Sequence, residues 1–176
     1  MDKLNFRALK ENEIEARIGQ VKENGLTLLL YKDARVDMNL LDETVGATNW
    51  KREHTLKGDR LYCTVSIYDT EKKEWISKED VGTESNTEKE KGQASDSFKR
   101  ACVNWGIGRE LYTSPFIWVK STDCTIKGAS GKFKCFDKFE VEKILIDTNK
   151  TITALSIKNT TTGKRVFLMK PVEKVK

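Results

Sequence analysis

Histidine, proline and long apolar runs are what this 176-residue chain has least of. His54 is its only histidine, and Pro115 and Pro171 are its only prolines. One histidine leaves general-base catalysis a single candidate, and His54 stands among Lys51, Arg52 and Glu53 with no cysteine or serine nucleophile motif beside it. The longest apolar run, Leu26 to Tyr31, is strand-sized and far short of the roughly 18 residues that a membrane-spanning helix needs. The N-terminus shows neither a basic-then-apolar signal nor an Arg/Ser-rich transit pattern, so a cytoplasmic protein is expected. A phosphate-binding P-loop is absent too: "GASGKF" lacks both the spacing and the hydroxyl, and nothing argues for ATP hydrolysis.

Cysteine is sparse: Cys63, Cys102, Cys124 and Cys135. Without a secretion signal the expectation is four reduced thiols rather than two disulfides. "CTIKGASGKFKC" offers only two cysteines, eleven positions apart, where structural zinc takes four Cys/His ligands in close pairs. No metal or cofactor is expected.

Charge is plentiful but uneven. Residues 1–112 carry 19 Lys+Arg against 21 Asp+Glu, whereas residues 113–176 carry 13 against 6. That basic C-terminal third suits a polyanion, and it equally suits a solvated lysine-rich surface.

Periodicity gives the organisation. Leu9, Ile14, Ile18 and Val21 fall at roughly helical spacing and predict a first helix, followed by a strand in "GLTLLLY". Ala34, Met38, Leu41 and Val45 mark a second helix, with Arg35 in its first turn and Gly46 at a left-handed cap. Around Leu61, Cys63, Val65 and Ile67 the period changes to two, and the flanking turns predict a three-stranded antiparallel meander. Thr87 and Glu90 form a capping-box pattern opening a long helix to about Trp105, where Gly106 and Gly108 end it. On that helix Ala94, Phe98, Ala101, Cys102 and Trp105 share one face, and Asp96, Lys99, Arg100 and Val103 the other. "FIWVK", "FEVEKILID", "TITALSIKN" and "RVFLM" read as strands, with a hairpin turn in "NTTTGK". The expected fold class is α+β: an antiparallel β-β-β-α core whose long basic helix packs on a sheet, spanning 1–112, plus a C-terminal antiparallel β unit, 113–176.

Two features invite a functional reading. Glu79 and Asp80 in "KEDVG" would suit a metal-dependent nuclease only if further carboxylates converged on them, and solvated edge charge is the simpler account. Lys99 and Arg100 project about 100° apart on the outer helix face, which is either an ordinary solvated face or a pair of prongs over a bound strand. Tyr62, Tyr68, Trp75 and Trp105 could stack on bases, but sheet and core packing explains them first.

"DARVDMNLLDETVGATNW", "EDVG" and "SDSFKRACVNWGIGREL", in that order, resemble the single-strand annealing proteins of the Rad-fifty-two family, particularly the short phage and prophage forms. The resemblance spans roughly Ile14 to Tyr112. It implies a β-β-β-α core, assembly into a homo-oligomeric ring, and single-stranded DNA lying in a basic groove with its bases outward. It implies annealing of complementary strands in recombination and repair without nucleotide hydrolysis or enzymatic chemistry, in the cytoplasm of a bacterial host where the chain is phage-encoded. Other recombination or single-strand-binding proteins become candidate partners. The implied DNA-binding residues are Arg35, Lys91, Lys99 and Arg100. Arg109, in the turn after the helix, is either a further DNA contact, the favoured reading, or an intersubunit salt bridge. Where eukaryotic members carry another arginine one turn after the pair, this chain has Val103. The alternative is a nucleic-acid-binding module that protects single strands or recruits a partner without annealing.

Overall fold

The computed structural model describes residues 4–83 and 89–171, with no side-chain description at 89–91. In chain order its elements are β1 (Glu15–Lys22), β2 (Gly25–Tyr31), α1 (Ala34–Val45), β3 (Trp50–Lys57), β4 (Arg60–Asp69), β5 (Glu74–Val81) and α2 (Lys89–Trp105). There follow β6 (Ile117–Lys120), β7 (Ile126–Ala129), β8 (Lys132–Cys135), β9 (Phe139–Ile146), β10 (Ile152–Asn159) and β11 (Lys164–Met169). The fold is α+β with antiparallel sheets, and no described helix is long and apolar enough to cross a membrane. Contacts divide the chain into two compact units: residues up to Arg7 with Ala34–Gly108, and Ala8–Asp33 with the residues from Arg109 on.

The first unit holds the expected β-β-β-α core. Strands β3, β4 and β5 form an antiparallel meander in that order, with Trp50 opposite Ile67 and Tyr68 opposite Trp75. Side chains on a strand alternate between faces, so Cys63, Val65 and Ile67 of β4 turn together to one side, where they are buried. On α2, Phe98, Ala101 and Cys102 are fully buried, and Trp50 stacks on Phe98 with ring centroids 6.2 Å apart. Each fully buried apolar side chain of this size contributes about 1.5–3 kcal/mol, so this seam dominates the stability of the unit. The same burial pushes the Cys63 thiol up to about 11. All four cysteines are free thiols.

Both glycine-ended helices finish as their sequences indicate. Gly46 follows α1 with φ of +86°. After α2, Gly106 takes φ of +101°, its N–H donates to Val103 O, and Ile107 N–H donates to Cys102 O. This pair of bonds is a Schellman cap, and buried Ile107 supplies its apolar contact. The Thr87–Glu90 capping box lies outside the described residues.

The second unit corrects two expectations. The segment from Leu9 to Val21 is not a helix: a short 3-10 turn (Glu11–Glu13) leads into strand β1. Ile14 and Ala16 are buried on alternate residues, but a register shift between Ile18 and Val21, around Gly19, breaks the two-residue period and makes the apolar spacing look helical. The boundary near residue 112 does not separate the units either. Hairpin β1–β2 enters a six-stranded sheet ordered β11-β10-β9-β1-β2-β6, pairing with β9 on one side and β6 on the other. The β-β-β-α core is thus an insertion between strands of one sheet. Leu26, Leu28, Ile117, Val119, Leu155 and Ile157 fill the interior of this unit, and edge strands β11 and β6 approach each other. Buried Glu110 accepts the Leu9 N–H at 2.7 Å, tying the N-terminal segment to the turn after the inserted core.

Strands β7 and β8, too short and glycine-rich to signal in the sequence, form a separate hairpin. Its base is held by Asp137 and the fully buried Asn159. Asn159 Nδ2 donates to Asp137 Oδ2 at 2.8 Å and to Asp123 O at 3.2 Å, and Thr125 N–H donates to Asp137 Oδ2 at 2.8 Å. Burial pushes the Asp137 carboxyl up, yet the hydrogen bonds from Asn159 and Thr125 outweigh it and hold the group below its ordinary 3.8.

A depressed carboxyl stabilises the fold above its unfolded pKa, and the contribution disappears as pH falls through the folded one. Asp137→Ala should therefore destabilise the protein by about 1–3 kcal/mol at neutral pH, by stranding buried donors. Urea melts should show that deficit shrinking below pH 3.8; an equal deficit at every pH would contradict the assignment.

Candidate nucleic-acid interface

Helix α2 carries the expected basic pair, and its packing fixes where each side chain points. Asp96 Oδ2 accepts hydrogen bonds from Thr83 N–H at 2.9 Å and Thr83 Oγ1 at 3.0 Å. Asn104 Nδ2 donates to Glu79 O at 3.0 Å. Arg100 Nε lies 3.3 Å from Asp80 Oδ1. These three residues therefore mark the flank of α2 that leans on β5. Lys99 sits about 100° from Arg100 around the helix, on the opposite flank, half-buried and with no ion pair or hydrogen bond among the described residues.

The two cations are consequently unequal. Arg100 is 42% exposed at its side chain, and its hydrogen bond to Asp80 engages only Nε. Asp80 orients the guanidinium while offsetting part of its charge, and the exposed remainder keeps N–H donors for a phosphate oxygen. Lys99 is a point charge with no carboxylate partner among the described residues.

Further cations flank α2, and the sequence reading passed over them. Arg52 Cζ lies 4.6 Å from the Phe98 ring centroid. Lys78 Nζ lies 4.5 Å from the Trp105 centroid and donates to Asn104 O at 2.9 Å. Strand alternation was the available signal: Arg52 and Lys78 both pair with inward-facing Val65, so both belong to the helix-facing side of the sheet. His54 shares that face, its Nε2 3.1 Å from Ala94 O.

The other expected residues separate. Arg35 is exposed in the first turn of α1, and α1 packs against α2. The side chain of Lys91 lies outside the described residues. Arg109 is exposed and opens a 3-10 turn (Arg109–Thr113) assigned to the second unit. Of the aromatic candidates, Trp105 donates its Nε1–H to Val65 O at 3.0 Å and belongs to the α2 seam. Tyr68 and Trp75 contact each other at 5.4 Å, with Lys51 over Trp75 and Lys57 over Tyr62, on the sheet face turned away from α2.

The "EDVG" stretch acts as a docking edge for the helix. Glu79 and Asp80 point to opposite faces, as neighbours on a strand must, so their carboxylates do not converge. Glu79 is held by Lys57 at 2.7 Å and Asp80 by Arg100. Gly82 is buried where α2 passes, and a Cβ there would stand 2.2 Å from Gln93 O and 2.8 Å from Ser97 N. Backbone atoms cannot yield as a flexible side chain would, so only glycine allows this approach.

The chain matches no family model, no curated protein and no solved structure.

Gly82→Ala should push α2 away from β5 and cost about 1–3 kcal/mol, the usual penalty of overpacking. Chemical denaturation with tryptophan fluorescence reads the loss, since Trp50 and Trp105 report on the helix–sheet seam; unchanged stability would show that the close approach is not required.

Proposed function

We propose that this chain binds single-stranded DNA and anneals complementary strands without ATP, as an oligomeric ring serving recombination and repair in the cytoplasm. The observation that carries this reading is the β3-β4-β5-α2 core with Lys99 and Arg100 on α2, consecutive in sequence and projecting from its two flanks. It is the arrangement implied by the motif resemblance to the Rad-fifty-two family. Cationic side chains that neutralise phosphates release condensed counterions, a favourable contribution that is indifferent to sequence. Annealing needs that indifference: a groove that hydrogen-bonded base edges would compete with the incoming strand, whereas one that holds phosphates leaves pairing edges free. Arg100, steadied by Asp80, supplies a directional donor set, and Lys99 a mobile charge. Arg52 and Lys78, on the two edge strands beside α2, extend the basic surface along the sheet. They offset the arginine that Val103 replaces.

Mixing complementary oligonucleotides with the purified protein tests this directly. Duplex formation should accelerate without ATP or magnesium, and Lys99→Ala/Arg100→Ala should slow it by about tenfold or more, each lost charged hydrogen bond being worth about 1.5–3 kcal/mol. Binding without acceleration would favour the non-annealing module, and acceleration indifferent to the double substitution would remove α2 from the mechanism.

A further inference from the structure

Hairpin β7–β8 carries a charge pattern that its own fold opposes. Its turn is Ser130-Gly131, with φ of +53° and +81°, closed by the pairing of Ala129 with Lys132. Two successive positive φ values give the tight turn whose twist matches the flanking strands, and such a turn fixes the register. Gly128 reinforces it: at φ of +139°, a Cβ would stand 2.0 Å from Lys132 O. The register sets Lys127 directly opposite Lys134, with Lys132 one step along the same face.

Like charges directly opposite on paired strands repel. None of Lys127, Lys132 and Lys134 has an ion pair or hydrogen bond among the described residues. The nearest acid along the chain, Asp137, is buried and turned inward to Thr125 and Asn159. The opposite face of the ribbon, Ile126, Phe133 and Cys135, is half-buried, and β8 lies against β1, so the ribbon is seated on the sheet with its lysines outward. Phe136, immediately after β8, is 78% exposed, and Lys138 beyond it is exposed as well. Cations also outnumber acids over the unit that carries the ribbon: residues 8–33 and 109–176 together hold 18 Lys+Arg against 12 Asp+Glu.

The turn thus holds three mutually repelling ammonium groups on one ribbon face beside an exposed aromatic ring. We propose that this face is a second contact surface for single-stranded nucleic acid, with Lys127, Lys132 and Lys134 on phosphates and Phe136 beneath an unpaired base. The lysines select a polyanion, whose binding relieves their repulsion and releases counterions. The ring selects a single strand, because an aromatic platform stacks on bases that a duplex keeps stacked on each other. The choice of nucleic acid among polyanions rests on the function proposed above; the surface itself lies in the second unit and does not involve α2.

Fluorescence anisotropy of a labelled oligothymidylate with the full chain, across a salt series, tests the inference. Lys127→Ala/Lys132→Ala/Lys134→Ala should weaken binding about tenfold or more at low salt and reduce the slope of log K against log salt by about 2, three single-strand contacts at about 0.7 each. Lys143→Ala/Lys158→Ala/Lys164→Ala, which removes equal charge from the same unit, should weaken it less than about threefold. Phe136→Ala should cost about fivefold or more on the single strand and nothing on a duplex. The ribbon variant should melt no lower than wild type, since it removes repulsion, and a lower midpoint would overturn that premise. Equal losses in the two triple variants, or unaltered binding by the ribbon variant, would overturn the inference while leaving annealing intact. Wild-type protein that binds no oligonucleotide would end both readings. Binding that depends on the ribbon, without annealing, would uphold this surface and end the annealing reading.

Discussion

The close approach of α2 to the three-stranded sheet is the constraint on which the first unit depends. Phe98, Ala101 and Cys102 fill one side of that seam and Cys63 and Val65 the other, all fully buried. Once this stripe faces the sheet, helical geometry leaves no freedom in the rest of the helix. Asp96, Arg100 and Asn104 fall against β5, where Thr83, Asp80 and the Glu79 carbonyl receive them. Lys99 falls on the other flank. The same contact explains why "EDVG" ends on glycine: the helix backbone passes where a Cβ would sit. Packing, capping and the direction of the basic pair are consequences of one interface.

The electrostatics divide along the units. In the first, cations are managed individually: Arg100 by a carboxylate, Arg52 and Lys78 by aromatic faces, Lys57 by Glu79. Such placement favours defined geometry over bulk charge. In the second, the excess of lysine concentrates where a tight turn forces like charges together. Under the proposed function the first surface would contact phosphates in defined geometry, while the second would act by long-range attraction, the part most sensitive to salt.

Much of the fold was legible because the elements that matter are locally consistent. The two-residue alternation of Leu61 to Ile67, the glycine cap after Trp105 and strands β6, β9, β10 and β11 each carry a signal within ten residues. The misread elements lack one. In β1, Leu9, Ile14, Ile18 and Val21 match a helical stripe only because a register shift near Gly19 breaks the strand period. Membership of β1 and β2 in the C-terminal sheet is a pairing across roughly ninety residues or more, Leu28 with Ile117 at the closer end and Ala16 with Phe139 at the farther. No local pattern records it, and a division after residue 112 would cut that sheet in two. In the candidate site, the projection of Lys99 and Arg100 was readable from helical geometry. The Asp80 contact to Arg100 was not, because it requires knowing which strand lies beside which flank.

The account stands on Lys99 as a cation that faces a bound strand. Acylation of the folded protein by a lysine-directed reagent, with and without a single-stranded oligonucleotide and read residue by residue by mass spectrometry, measures this at the side chain itself. The account predicts that bound strand protects Lys99 strongly while Lys72 and Lys73, in the β4–β5 turn, react unchanged. Equal reactivity of Lys99 in the free and bound protein, under conditions where the oligonucleotide is demonstrably held, would contradict it.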